Sequence, residues 1–250
     1  MRKTGPEAGT DETLDSFYHG RIRVIQKKKG YRFSVDAPLL ADFIRPRPSD
    51  VLLELGAGSG IISLLLSLKP FSRIVCLEIQ PGLAELARKN VRLNGLERKI
   101  TVLEQDLRTF TGKEKYDAVF SNPPYLKKKG GQLSLSEEKS IAKHEIHCSI
   151  SDIMHVAGRR LKDDGRAYLI YPARRKTDFD AAAKKNGLKV GVLRYVYPGS
   201  GRPARWFLAE CDFRSPGTEV RPPLFIYDEQ GEYTAEMKRI FAGEGCVASA

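Results

Sequence analysis

Cysteine is scarce and scattered. The 250-residue chain holds four, Cys76, Cys148, Cys211 and Cys246, and no two form a C-x-x-C pair. That argues against a disulfide framework and fits a reducing, cytoplasmic compartment. Long apolar runs are missing too. The longest, Ile61 to Leu68, is broken by Ser63 and Ser67 and is too short to span a bilayer. The opening MRKTGPEAGTDETLD has no apolar signal region. There is no internal repeat and no low-complexity domain. His144, His147 and Cys148 form one small group without a second cluster to complete a metal site. A loop or helix-start role is expected for them, and no metal.

What the chain has in excess is positive charge. Lys plus Arg total 42 against 31 Asp plus Glu, a formal +11, which favours a polyanionic partner. Three basic groups stand out. Lys27, Lys28 and Lys29 precede Gly30 and lie between the alternating stretches Arg21 to Ile25 and Tyr31-Arg32-Phe33, which reads as a β-hairpin with lysines at its tip. Lys127, Lys128 and Lys129 precede Gly130-Gly131. Arg202 and Arg205 lie in and beside the loop Pro198 to Pro203, between two long strands expected over Leu188 to Tyr197 and Ala204 to Glu210. Residues 1–14 are polar and read as a disordered tail.

The length fits one α/β domain with appendages, and 41% apolar residues suffice for a core. Val51 to Leu55 is a buried strand, followed by Gly56-Ala57-Gly58-Ser59-Gly60 and an apolar helix. A glycine-rich turn between strand and helix lets a ligand approach the backbone closely. Its spacing is G-x-G-x-G, unlike dinucleotide enzymes, and no Gly-Lys-Ser/Thr follows. Arg73 to Leu77 is a second strand ending at Glu78, placed to accept from two ribose hydroxyls. Pro81 opens a helix that Gly95 stops. Ile100 to Leu103 is a third strand, with Asp106 just past its end. Ala118-Val119-Phe120 is a fourth, ending in Ser121-Asn122-Pro123-Pro124-Tyr125. Two prolines stiffen that loop and remove N–H donors, leaving the carbonyls of Asn122, Pro123 and Pro124 as acceptors beside an aromatic ring. Such a loop suits a planar amine. Further on, the sequence predicts helices over Ile150 to Leu161 and Arg174 to Lys185, a strand over Ala167 to Ile170, and a short helix near Tyr233 to Phe241.

This order of elements resembles the class I, Rossmann-like methyltransferases that use S-adenosylmethionine. LELGAGSG is similar to their first motif, and SNPPY to the N-P-P-Y motif of enzymes that methylate planar nitrogens. GYRFSVDAPLLADF, AKHE and PPLFIY extend the resemblance to the bacterial tRNA adenine-N6 methyltransferases that modify adenine-37 of valine tRNA, over most of residues 16–242. Where many relatives have cysteine in the first motif, this chain has Ala57.

The resemblance implies a seven-stranded mixed sheet with helices on both faces, forming a single domain over 15–250 with a short C-terminal extension. It implies S-adenosylmethionine as cofactor and an RNA, most simply a tRNA, as substrate. Gly56, Ala57, Gly58 and Gly60 would pack against the amino-acid part of the cofactor, with Glu54 orienting that end. Glu78, with Ile79, would hold the ribose, and Asp106, with Leu107, the adenine. Asn122, Pro123, Pro124 and Tyr125 would present the target nitrogen. The three basic groups would meet the RNA. A similar loop serves protein-glutamine N5 methyltransferases of release factors and guanine-N2 rRNA methyltransferases. The former carry a sizeable helical domain before the first motif, whereas only about fifty residues precede it here. A non-enzymatic RNA-binding module with a vestigial site is the remaining alternative. The intact Asn122 to Tyr125 loop and Glu78 speak against it.

Overall fold

In the computed structural model of the chain, residues 6–29, 34–123 and 148–244 are described. A two-stranded hairpin, β1 (Glu12–Phe17) and β2 (Ile22–Lys27), comes first, then helix α1 (Asp36–Phe43). The central part runs β3 (Val51–Leu55), α2 (Ile61–Leu66), β4 (Arg73–Glu78), α3 (Pro81–Leu93), β5 (Ile100–Glu104) and β6 (Tyr116–Ser121). The second half comprises α4 (Ile150–Arg160), β7 (Leu161–Pro172), α5 (Lys176–Lys185), β8 (Lys189–Tyr197) and β9 (Trp206–Asp212). Two short strands, β10 (Glu219–Val220) and β11 (Leu224–Phe225), and helix α6 (Ala235–Ala242) complete it.

The main sheet has the order β10-β8-β9-β7-β6-β3-β4-β5, with β11 also paired to β8. From β7 to β5 all neighbours are parallel, while β9 runs antiparallel to both β7 and β8. Among the described residues this sheet thus has nine strands where seven are expected. The two additions, β10 and β11, are two-residue strands on the outer edge of β8, and the seven long strands are those anticipated. The chain builds outward from β3 through β4 to β5, then returns to place β6 on the other side of β3. That reversal opens a crevice between the carboxyl ends of β3 and β6, where ligands of open α/β sheets bind.

Helices cover both faces, so the central strands are buried on both sides and read as near-continuous apolar runs. Leu40, Leu65, Ile74 and Phe120 belong to the core on one face, which also takes in Met237 and Ile240 of α6. Leu53, Val119, Met154, Phe179 and Phe207 belong to the core on the other. Local signals agree with this packing. Ser149 accepts the Asp152 N–H at 3.2 Å while its own N–H donates to the Asp152 carboxylate at 2.8 Å, a reciprocal cap at the start of α4.

The hairpin departs from its sequence reading. Its turn lies at Tyr18, His19 and Gly20, all with positive φ, whereas the second arm of the hairpin expected around the lysines, Tyr31-Arg32-Phe33, falls outside the described residues. The strand paired with β2 is β1, which begins at Glu12 inside the stretch expected to be disordered. β1 has little apolar content, and Leu14 stays half exposed. Charge holds it instead: Glu12 accepts from Lys89 of α3 at 2.6 Å and pairs with Lys27 at 3.3 Å. Residues 30–33 lie outside the described residues. The sequence also places a turn at Asp163 to Gly165; β7 starts at Leu161, but its register against β6 steps from Tyr116–Leu161 to Ala118–Arg166, so residues 162–165 bulge out of the pairing there.

Candidate active site

The glycine turn is built by positive φ and by hydrogen bonds to its neighbour strand. Gly56, Gly58 and Gly60 have φ of 72°, 56° and 80°, a region costly to residues with a Cβ. The N–H groups of Gly56 and Ala57 both donate to the Leu77 carbonyl, at 2.9 and 3.0 Å. A Cβ on Gly60 would meet the Ala87 methyl at 3.3 Å, so the turn also sits tightly against α3.

Glu78 organises the adjacent loop. Its carboxylate accepts the Gly58 N–H at 2.7 Å and the Gln80 N–H at 2.9 Å, and the side chain is buried. Each oxygen keeps a lone pair for a further donor. Ile79, immediately after it, leaves 37% of its surface exposed, an apolar wall beside an acid. The end of β5 is tied in by the Gln105 N–H donating to the Glu78 carbonyl at 2.9 Å. Asp106 follows and caps the single turn Leu107–Thr109. Both of its carboxylate oxygens take the guanidinium of Arg108, at distances down to 2.5 Å, and Leu107 is buried.

Glu54 lies beneath the turn, 1% exposed. One carboxylate oxygen accepts the Ser63 hydroxyl and, at 3.5 Å, the Cys76 thiol. The other has no partner among the described residues. Burial pushes its pKa up to about 7 against the lowering effect of Ser63 and Cys76, with the Glu78 charge adding to the rise.

The strand that delivers Asn122 is locked beside the same turn. In the sheet register Glu54 of β3 stands opposite Phe120 of β6. One residue on, the buried Ser121 hydroxyl donates to the Leu55 carbonyl at 2.7 Å. Asn122 is partly exposed at the mouth of the crevice and Pro123 is buried. Glu54, the glycines, Glu78, Asp106 and Asn122 therefore share one sheet edge. Pro124, Tyr125 and Lys127 to Lys129 lie outside the described residues, as do His144 and His147.

Residues 32–182 match the family described as methyltransferase small domain, more than half of the chain. The chain belongs to that family. Among its relatives, the tRNA1(Val) (adenine(37)-N6)-methyltransferase of Phocaeicola vulgatus is 33% identical over 195 residues, covering 77% of this chain and 82% of that protein. An enzyme of the same name from a Flavobacteriaceae bacterium is 27% identical over 73% of this chain and 77% of its own length. Among solved structures, a predicted O-methyltransferase of Agrobacterium tumefaciens superposes with a TM-score of 0.65 at 22% identity, over 86% of this chain and 98% of that one, and so shares the fold.

The cofactor of this methyltransferase small domain is S-adenosylmethionine, and the residues present fit it. The unpartnered, buried oxygen of Glu54 suits a cationic donor or a bridging water. The glycine turn leaves space above Gly56, where a Cβ would meet nothing within 4 Å. Glu78 offers two braced acceptors and Ile79 an apolar surface. Asp106 is already engaged by Arg108, so it would serve a further donor only through its remaining lone pairs.

Two contributors escape sequence reasoning. Ser121 carries no pattern of its own. Asn90 leaves a trace: it is a polar residue three positions after Ala87, on the buried stripe of α3. It is fully buried, accepts the Ile25 N–H at 2.7 Å, and donates to the carbonyls of Ile25 and Ser59, both at 3.0 Å. One amide thus joins hairpin, helix and glycine turn.

Basic residues flank the crevice on two sides. The hairpin runs antiparallel to α3, with Arg23 against Leu93 and Asn94 and Ile25 against Asn90, which carries Lys28 and Lys29 toward the cofactor side of the edge. Lys27 is committed to Asp11 at 2.9 Å and to Glu12, and Lys28 donates to the Thr10 carbonyl at 3.0 Å. On the far side, Arg202 and Arg205 are exposed where β8 and β9 meet, with the Arg205 guanidinium 4.3 Å from the Trp206 ring centre. No helix among the described residues is long and apolar enough to cross a membrane.

Proposed function

We propose that this chain transfers a methyl group to the exocyclic N6 of an adenine in tRNA, with adenine-37 of valine tRNA as the target. The observation that carries the reading is the position of Asn122, one residue past the Ser121 to Leu55 hydrogen bond and so beside the glycine turn. The names and coverage of the relatives support the same substrate. The family match begins at residue 32, ahead of the glycine turn, and a relative of the same name from Vibrio cholerae is matched over 86% of this chain and 89% of its own length, which favours this reading over a release-factor enzyme with its added helical domain.

An exocyclic adenine nitrogen is a weak nucleophile because its lone pair is delocalised into the ring. S-adenosylmethionine, when bound, supplies a methyl carbon already activated by positive sulfur, so a strong base is unnecessary. The protein's task is orientation. The Asn122 side-chain oxygen and the Pro123 carbonyl accept the two N–H bonds of the target amine. This pyramidalises the nitrogen, turns its lone pair toward the glycine turn and stabilises the positive charge that develops on it. Tyr125 stacks on the extruded base. Base–aromatic stacking is worth about 1–3 kcal/mol, comparable to the few kcal/mol that flipping costs. Lys28 and Lys29 on one side and Arg202 and Arg205 on the other meet phosphates. The Asp11 and Glu12 contacts make Lys27 a weaker candidate than its sequence position implies.

The test is nucleoside mass spectrometry of unmodified tRNA incubated with the protein and isotope-labelled cofactor. Labelled N6-methyladenosine at position 37 is expected. Label in N2-methylguanosine, or in a release factor and not in RNA, would overturn the assignment.

A further inference from the structure

The outer end of the candidate site's edge carries features beyond the groups proposed to hold the cofactor and the target amine. Beyond Asn122 the sheet continues through β7 and β9 to β8 and β11. Their ends at this edge hold three exposed arginines: Arg174 after β7, Arg205 before β9, and Arg202 in the loop between β8 and β9. None has an ion-pair partner among the described residues. By contrast, Arg175 pairs with Asp178, Lys176 with Asp180 and Arg194 with Glu236.

Past the arginines stands a cluster of rings. The segment starting with β11 alternates cleanly: Leu224 and Ile226 are 1% and 3% exposed, whereas Phe225 and Tyr227 are 37% and 40% exposed. The inward pair supplies the anchoring. Phe225 lies 5.3 Å from the Tyr197 ring, and Tyr227 stacks on Tyr233 at 5.1 Å and 17°. Tyr233 is itself 37% exposed, and the pair is braced by a backbone bridge between the two residues. The Tyr227 N–H donates to the Pro198 carbonyl at 3.0 Å, which fixes these rings against the loop that carries Arg202.

We infer that this end of the edge is a platform for unpaired nucleotides of the RNA: Phe225, Tyr227 and Tyr233 stack on bases, and Arg174, Arg202 and Arg205 hold the phosphates leading to them. Exposed aromatic faces beside cations that have no ion-pair partner are the combination that single-stranded nucleic acid selects. At about 4.8 Å per strand, the four steps from β6 to β11 put the rings roughly 19 Å from Asn122. That is about five or six stacked nucleotides at ~3.4 Å each, so the platform receives a base several positions from the target. Asp228 next to Tyr227 is occupied by the backbone N–H groups of Gln230 and Glu232, at 3.0 and 2.9 Å. The exposed acids Glu229 and Glu232 in that turn confine the phosphate path to the arginine side.

The inference rests on the tRNA reading above, and the two fail separately. The experiment compares steady-state methylation of a tRNA transcript by the wild type, a Phe225→Ala/Tyr227→Ala double variant, Tyr227→Phe, and a triple Arg174→Gln/Arg202→Gln/Arg205→Gln variant. The ring-deleted protein should raise the KM for tRNA about tenfold or more, with the KM for S-adenosylmethionine as in the wild type. Tyr227→Phe keeps the ring and should keep the tRNA KM. The arginine variant should lower the slope of log affinity against log salt by roughly 2 to 3. In parallel, wild-type protein cross-linked to 4-thiouridine-substituted tRNA should yield nucleotide adducts on the peptide containing Phe225, Tyr227 and Tyr233. This arm stands even where a variant does not fold. Robust tRNA methylation together with a tRNA KM within twofold of wild type, or with no cross-link on that peptide, would overturn the platform while leaving the enzyme assignment intact. Absence of any RNA methylation would instead remove the assignment on which both rest.

Discussion

The Ser121 hydroxyl donates to the Leu55 carbonyl at 2.7 Å, joining the residue before Asn122 to the residue before the glycine turn. In the proposed mechanism the part that would hold the amine and the part that would hold the methyl donor meet through this bond. Both groups are buried, so removing the donor deletes a buried hydrogen bond with no water to replace it. Ser121→Ala should therefore cost about 1–3 kcal/mol of stability and lower kcat for methyl transfer more than it lowers cofactor affinity. Urea unfolding and single-turnover kinetics check this. Unchanged turnover in a destabilised protein would show that the bond matters to folding alone.

Asn122 itself is expected to separate binding from chemistry. On the proposed mechanism, Asn122→Ala removes one of two acceptors for the target amine, and with it the orientation of the lone pair. Losing a preorganised hydrogen bond of this kind typically costs about 10²–10³ in kcat. Cofactor affinity, measured by calorimetry, should change little. Near-normal turnover would take Asn122 out of the mechanism.

Glu54 makes stability depend on pH in a definite direction. Burial raises its folded-state pKa from 4.5 to about 7. The folded chain thus holds a proton that the unfolded chain has released. The stabilisation is full below about pH 4.5 and is lost as pH rises through about 7. Its size is about 3 kcal/mol for a shift of that order. Urea unfolding at pH 5 and pH 8 should show the ligand-free protein weaker at pH 8, and Glu54→Gln should flatten the difference. An identical pH difference in the variant would assign the effect to other groups.

Asn90 joins three segments through one buried amide. Asn90→Ala strands the N–H and carbonyl of Ile25 and the carbonyl of Ser59. At about 1–3 kcal/mol for each stranded buried group, and with the usual lack of full additivity, a loss of several kcal/mol is expected. Hydrogen exchange should also quicken at Ile25 and around the glycine turn together. Faster exchange in the hairpin only would show that Asn90 serves the hairpin and not the turn.

The legible part of the site is the part that lies along the chain. The glycine turn, Glu78 after its strand and Asn122 after a short apolar strand are local signals: each is a polar or conformationally permissive residue at the end of a buried run. The central strands were equally plain, because burial on both faces leaves no polar alternation to misread. The β1–β2 hairpin was missed for the opposite reason. Lys27 to Gly30 has the composition of a turn, while Tyr18 and His19 adopt positive φ without a local marker. β1 has few apolar residues to announce it, and its place is secured by Lys89, which is 77 residues from Glu12.

Sequence alone determined that strands would alternate with helices and that the candidate site residues would fall at their carboxyl ends, since hydrophobic periodicity and glycine or proline placement act over a few residues. Tertiary structure decided the rest. It buried Glu54 under the turn, committed Lys27 and Asp106 to partners, set Asn90 between hairpin and turn, and brought Arg174, Arg205 and Phe225 along one edge. Those outcomes depend on desolvation and on contacts between groups far apart in the chain, which no local pattern encodes.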